Sequence, residues 1–515
     1  MKPACLADDP ATTPIAWIER VLATAPDRVL ISTPDGTTHT YADAHATSCR
    51  LANALLHRGV NVGDRVLAQV EKSPEALMLY LACLHVGAVF VPLNAAYTQA
   101  EVEYFLGDAQ PRLLIVQPKD RDRSYVGTKE AGVAVETLGM RGDGTLLELA
   151  RSQSSSHRDR FAGGTNTLAA LLYTSGTTGR PKGAMLTHGN LVSNAEALVQ
   201  AWHFTSSDIL LHALPIFHAH GLFVAINTVL ASGASMLFLP RFDADVVIEL
   251  LPRSTVMMGV PTFYTRLLSE AAFDRALTAH MRVFISGSAP LLAETHRQFE
   301  ERTGHAILER YGMSETLMNT SNPYQGRRIP GAVGLPLPGV QVRITDLDTH
   351  ATLVQPDAVG VLEVRGPNIF KGYWRNPEKT ASEFRADGFF VTGNVGRIDA
   401  HGYVHIVGRA KDLIISGGYN VYPKEVETEI DALEGVIESA VIGVPHPDFG
   451  EGVTAVIVKA VGADLDEARV RRTLEDRLAK YKLPKLVIFV DSLPRNALGK
   501  VQKNLLRDTY AQLYR

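Results

Sequence analysis

The sequence predicts an α/β fold: a large N-terminal domain of layered α/β sheets with a β-rich subdomain, then a small α+β domain at the C-terminal end. Three observations carry this expectation. Apolar strand-like runs alternate with helix-length segments through the first two-thirds of the chain. Between residues 340 and 407 the strand-like runs come with little helix between them. Past Gly408-Arg409-Ala410-Lys411-Asp412 the pattern restarts as a unit of roughly 100 residues, a plausible size for one domain. At 515 residues the chain also exceeds what one hydrophobic core usually organises.

Taken in order, residues 66–70 read as a strand, 74–86 as a helix opened by Pro74, and 88–92 and 113–116 as strands. The small and aliphatic run 168–172 is a buried strand ending in a loop of hydroxyls and glycines. Strands at 209–214, 235–239, 256–260 and 283–286 continue the alternation. Those at 340–345, 360–365, 388–392 and 403–407 form the β-rich part. In the last unit, 413–415 precedes a Gly-Gly turn and a helix at 424–432. Strands at 438–444 and 453–459, a charged helix at 465–478 and a strand at 485–490 complete it. The resulting division is 1–408, a hinge at 409–411, and 412–515. No internal repeat or low-complexity tract interrupts it.

Composition narrows the function classes. Hydrophobic content of 46% with 21% charged residues is that of a globular protein, and no run approaches 18 consecutive apolar residues, so no membrane span is expected. The net charge of −4 and the lack of a long basic run argue against nucleic acid as a partner. Cys5, Cys49 and Cys83 are sparse and form no spaced pair. With no secretory or mitochondrial leader pattern at the start, a reducing, cytoplasmic setting is expected.

The residues with chemistry lie at strand ends. Thr174-Ser175-Gly176-Thr177-Thr178-Gly179, followed by Lys182, offers backbone N–H groups, hydroxyls and a positive charge, a combination suited to a polyphosphate. The Walker A spacing is absent. Ser286-Gly287-Ser288-Ala289 puts small residues after a strand, where a flat base can stack. In Glu309-Arg310-Tyr311-Gly312-Met313-Ser314-Glu315, Tyr311 can stack on a purine and Ser314 can donate to a phosphate. Glu315 can hold Mg²⁺, which favours oxygen ligands shared with phosphates. The competing structural reading makes Ser314 a helix N-cap with Glu315 in the first turn. His218 and His220 stand at i and i+2 with no Cys or carboxylate close by, which disfavours zinc there. Lys500, in an exposed-looking turn, reads by itself as a solvated surface charge.

In order and spacing these segments resemble the adenylate-forming superfamily of acyl-CoA synthetases, luciferases and peptide-synthetase adenylation domains. Within it, HALPIFHAHGLFVA, MGVPTFYTRLL, FISGSAPL, ERYGMSETLMNTSNPY and SGGYNVYPKEVE are similar to malonyl-CoA synthetases. The resemblance implies two half-reactions: a carboxylate attacks the α-phosphate of ATP, then the small domain rotates and CoA attacks the adenylate. It implies that Lys500, with His218 and Ser314, serves catalysis. Thr174, Ser175, Gly176, Thr177, Thr178 and Lys182 would hold the β/γ-phosphates. Gly287, Ser288, Ala289 and the segment Glu309–Ser314 would surround the nucleotide, with Asn394 and Arg409 at the ribose. Glu315 would bind Mg²⁺, Lys411 would mark the hinge, and Gly417, Gly418 and Tyr419 would line the CoA channel. ATP and CoA are the implied co-substrates. A lysine acetyltransferase/deacetylase pair acting on Lys500 is a conceivable partner, and the implied assembly is a monomer or homodimer.

Two positions depart from the family pattern. Ser314 replaces a commoner threonine, and Asn394 stands where an aspartate usually accepts from both ribose hydroxyls. An amide supplies one acceptor and two donors, so weakened ATP binding is expected. For the acid, a dicarboxylate needs a second anion site. Arg266, just after a strand end, can bind it bidentately, with His218 and Ser286 completing the cage. The implied activity is ATP-dependent ligation of malonate, or methylmalonate, to CoA. A ligase for another short-chain or aromatic acid and a nucleotide-weakened regulatory pseudoenzyme are the alternatives. A peptide-synthetase domain is disfavoured, as no carrier domain follows Arg515.

Overall fold

The computed structural model describes residues 13–123, 125, 132–157, 161, 163–174, 181–417, 419–496 and 499–514. Among these, two sheets dominate the N-terminal part. The first runs in the order Ala134–Thr137, Leu113–Val116, Arg65–Gln69, Val89–Pro92, Leu168–Thr174, Lys182–Thr187, parallel except for its last pair. The second runs Leu335–Pro336, Leu317–Ser321, Leu308–Met313, Val283–Ser286, Val256–Gly259, Ile209–His212, Ser235–Phe238, Val29–Ser32, Thr38–Thr40.

The principal core joins the two sheets, mixing Val66 and Leu113 of the first with Leu210 and Met236 of the second. The helix Pro74–Val86 belongs to it and is buried all round from Ala76 to Val86. A helix apolar on every face has no solvent side and must be covered on both. Its ends are specified locally. Ser73 Oγ accepts the Ala76 N–H at 3.1 Å, Pro74 occupies the first turn, and Gly87 closes it at φ +75°.

The β-rich subdomain is an antiparallel sheet in the order Thr352–Leu353, Gln341–Thr345, Gly360–Arg365, Phe390–Ile398, Val404–Arg409. Arg409, expected to open the hinge, is the last residue of that sheet, and Ala410–Asp412 is a single 3₁₀ turn beyond it. The C-terminal unit pairs Tyr419–Val421, Ile414–Ser416, Gly450–Lys459 and Val436–His446, with Leu486–Val490 parallel to Gly450–Lys459. The helices Pro423–Asp431 and Glu467–Glu475 share one apolar cluster with this sheet, and Lys503–Thr509 contributes to a second.

Two local readings need correction. Ser314 and Glu315 open no helix. They form the turn between the antiparallel strands Leu308–Met313 and Leu317–Ser321. Gly312 permits this, since a Cβ there would overlap the Leu317 carbonyl oxygen. The segment Lys182–Thr187, given no strand by its sequence, pairs antiparallel with Leu168–Thr174. That pairing sets Lys182 opposite Thr174, at the neck of the glycine-rich loop.

Candidate active site

Four parallel strands end side by side in the second sheet. His212 lies next to the Met258 register, Gly259 opposite Ser286, and Ser286 opposite Glu309. The carboxyl ends of parallel strands are where α/β sheets place ligands. Most of the expected site residues meet there or on the hairpins above.

The phosphate side gathers Lys182, Tyr373 and Glu315. Lys182 Nζ lies 5.3 Å from the Tyr373 ring centroid, and Tyr373 Oη lies 3.1 Å from Glu315 Oε1. The same hydroxyl is 2.7 Å from Glu383 Oε2. One O–H can donate to only one of two carboxylates; Glu383 is also paired with Lys379 Nζ at 2.6 Å, whereas Glu315 has no ion pair among the described residues. Burial, opposed by the Tyr373 bond and reinforced by Glu383, pushes the Glu315 carboxyl above its usual range. Thr174 sits at the end of its strand; Ser175, Gly176, Thr177 and Thr178 lie outside the described residues, as does Gly418.

On the nucleoside side, Asn394 pairs with Arg409 across the hairpin of the β-rich sheet. Asn394 Nδ2 donates to Tyr311 Oη at 2.7 Å and faces the Thr392 carbonyl at 3.3 Å. A carbonyl only accepts, so the amide nitrogen must point that way. The donors expected to disturb ribose binding are therefore spent inside the protein, and Oδ1 is left as the acceptor. Burial also holds the Tyr311 hydroxyl in its neutral form.

Beneath Gly287 lies Arg310. A Cβ on Gly287 would collide with its guanidinium. Arg310 is 3% exposed, its Nε and Nη2 have no hydrogen-bond partner among the described residues, and burial lowers its pKa to about 9. Ser286 Oγ and His220 Nε2 are likewise buried and unpartnered. His220 Nδ1 lies 3.1 Å from Ser288 Oγ, with Ser288 held at φ +71°. Burial, then the charges of Arg310, His212 and His218, keep His220 neutral well below its usual range. His218 is held at about 4 by burial. Glu309 faces away, accepting from the Leu291 N–H at 3.3 Å, and burial raises it to about 8.

Sequence reasoning missed Lys72. Its Nζ lies 2.8 Å from His212 Nδ1 and 2.9 Å from the His212 carbonyl, and 4.2 Å from the Phe238 ring centroid. His212 Nε2 is 2.8 Å from the Gly221 carbonyl and must carry the hydrogen, so Nδ1 accepts from Lys72. Lys72, His212, His220 and Arg310 thus stand together with no ion-pair partner among the described residues. The available signal was position: Lys72 follows the end of a parallel strand, immediately before a helix N-cap.

Lys500 is no surface charge. Its N–H donates to Asn496 Oδ1 at 3.0 Å, and the neighbouring Gly499 packs on Thr262 of the helix Pro261–Leu268. Burial first, then Arg409 and Lys411, against Asp412 and Glu315, lower the Lys500 amine to about 7. The C-terminal unit therefore presents Lys500 to Glu315 and Arg409. Lys411 lies in the 3₁₀ turn. Gly417 and Tyr419 are on the outside, Tyr419 being 59% exposed and stacked on Tyr481. Arg266 is exposed, one turn beyond Thr262 on the same helix face, and makes no ion pair among the described residues. The structure does not bring it into contact with Ser286 or His218.

Residues 18–374 match the AMP-binding enzyme family, and residues 425–500 match the AMP-binding enzyme C-terminal domain. A feruloyl-CoA synthase of Amycolatopsis is 36% identical over 480 residues, 92% of this chain and 94% of that protein. A malonate–CoA ligase of Arabidopsis thaliana is 34% identical over 530 residues, 93% of this chain and 86% of that one. The crystal structure of ATP-bound MatB from Rhodopseudomonas palustris superposes with a TM-score of 0.94 at 57% identity, covering 97% of this chain and 99% of that one. No helix among the described residues is long and apolar enough to cross a membrane. The chain belongs to the AMP-binding enzyme family.

Proposed function

We propose that this protein joins malonate to CoA at the expense of ATP, through a malonyl-adenylate. The observation that carries the choice of acid is the cluster of Lys72, His212, His220 and Arg310 beside the unpartnered Ser286 hydroxyl. Buried donors without a counterion are costly unless an anion completes them. A fatty-acid pocket would be apolar at this depth.

In the first half-reaction one carboxylate oxygen bonds to the α-phosphorus and the bond to pyrophosphate breaks. Lys500, as a cation, draws carboxylate and α-phosphate together and offsets their repulsion. Thr174, Lys182 and the loop between them hold the departing phosphates. Glu315 suits Mg²⁺, because its buried carboxylate has one side-chain hydroxyl donor and no ion pair among the described residues; the ion would neutralise phosphate charge there. Tyr311 and Gly287–Ala289 flank the base, and Asn394 and Arg409 face the ribose. In the second half-reaction the CoA sulfur bonds to the acyl carbon and AMP leaves. Rotation of 412–515 about 409–411 would carry Gly417–Tyr419 inward for that step.

Arg266, exposed on the Thr262 face and without an ion pair among the described residues, would bind the distal carboxylate in this reading, the bound acid bridging it to Ser286 and neutral His218, which Arg266 does not touch. Cytoplasmic action as a monomer or homodimer fits the same reading. Acetylation of Lys500 would remove the charge that adenylation needs. The test is pyrophosphate release by Arg266→Ala. Malonate-dependent kcat/KM should fall by about 100-fold or more, with ATP affinity retained. Unchanged malonate kinetics would remove Arg266 from the site.

A further inference from the structure

The helices Tyr41–His57 and Pro74–Val86 supply none of the ATP or acid residues, yet they bring three metal-ligating side chains together. His45 and Cys49 stand at i and i+4 on the first helix, and His85 approaches from the last turn of the second. One ligand atom from each lies within 4.8 Å of the other two. His45 Nε2 is 3.6 Å from Cys49 Sγ, and the His45 and His85 rings meet edge-on at 5.4 Å. Tetrahedral zinc, with bonds of about 2.0–2.3 Å, needs donor atoms roughly 3.3–3.8 Å apart, so the cluster is one small rotamer adjustment from that spacing. Read from sequence, the cysteines showed no pair; the i, i+4 His–Cys step was the overlooked signal.

We propose that His45, Cys49 and His85 bind a divalent transition metal, zinc, that staples these two helices. The surroundings fit such a centre. The Ser48 hydroxyl lies 3.2 Å from His85 Nε2 and orients that ring. The His157 main-chain N–H hydrogen-bonds to the Cys49 sulfur and opposes the burial that otherwise raises the thiol above its usual range. The His157 ring stands 5.9 Å from that of His85, its Nδ1 3.0 Å from Asn53 Oδ1. Glu19 adds negative potential near the thiol. Imidazole and thiolate together select zinc over the hard cations, whereas Glu315 offers oxygen only. Cys49 and His85 are buried, and His45 is partly exposed, which leaves a way in for the ion. Binding would release the thiol proton.

The test uses untagged, chelator-treated full-length protein titrated with Co²⁺ under reducing conditions, with Cys49→Ser and His85→Gln alongside. One equivalent should bind with intense tetrahedral d–d bands and a thiolate-to-cobalt charge-transfer band, both displaced by Zn²⁺. Cys49→Ser should lose the charge-transfer band, and His85→Gln should weaken binding by at least about tenfold. Both variants should keep ATP-dependent thioester formation, showing that they fold. Folded wild-type protein that gives no such spectrum overturns the proposal. So does a thiolate band that survives in Cys49→Ser, because the metal would then sit on another cysteine.

Discussion

Asn394 shows how far one side chain can depart from its family without removing the site. Its Nδ2 is committed to Tyr311 Oη and to the Thr392 carbonyl, so a single acceptor oxygen is left for the ribose in the proposed reading. An aspartate would accept the Tyr311 hydroxyl with one oxygen and carry full charge to the ribose with the other. Losing a charge-assisted bond costs about 1.5–3 kcal/mol. Asn394→Asp should therefore lower the KM for ATP by about tenfold or more, and unchanged ATP affinity and turnover would refute this. Lys500 carries the pH dependence. Held near 7, mainly by burial and Arg409, it is the cation that the proposed adenylation step needs only below that value. In the free enzyme, kcat/KM for adenylation should fall as pH rises through about 7. The profile of kcat should break at higher pH, because bound anionic substrates restore the charged form. A flat kcat/KM profile from about pH 6 to 9 would contradict the role. Among residues, Tyr311, Glu315 and Lys182 were legible because chemistry and strand ends coincide. Lys72 and Arg310 were not, since burial of a cation is decided by distant elements.

At the scale of elements, the helix Pro74–Val86 was legible to the residue because Ser73, Pro74 and Gly87 punctuate it. The hairpin carrying Ser314 and Glu315 was harder to read. Serine followed by glutamate is a good helix start, and only packing against Leu317–Ser321 makes it a turn. Gly312 is the residue that permits the turn, because any side chain there would meet the Leu317 carbonyl. Gly312→Ala should cost about 2–4 kcal/mol in a chemical-denaturation experiment and displace Glu315, weakening Mg²⁺-dependent adenylation. A variant of wild-type stability and activity would show that the hairpin relaxes freely. The strand Lys182–Thr187 was missed for a similar reason, since its neighbour Leu168–Thr174 decides its pairing.

At the scale of the molecule, the division into a large sheet-layered part and a small C-terminal unit was visible in the restart of the strand–helix pattern, though Arg409, expected to open the hinge, still belongs to the β-rich sheet. Where the small unit sits was not visible, because no local signal in residues 494–500 tells that Gly499 will pack on Thr262. That contact brings Lys500 within electrostatic reach of Glu315 and leaves Tyr419 outside, the arrangement that the proposed adenylation step would use. The acid cannot be read from the nucleotide machinery, which would serve any carboxylate. It rests on the buried donor cluster of Lys72, His212, His220 and Arg310 and on Arg266. The most direct measurement is CoA thioester formation by the purified protein with ATP and Mg²⁺, each acid offered alone and in competition: malonate, methylmalonate, acetate, propionate, benzoate and ferulate. Malonate should lead the monocarboxylates by about 100-fold or more in kcat/KM, the margin expected of a buried, charge-paired second carboxylate. Equal or better turnover of acetate, benzoate or ferulate would contradict the assignment.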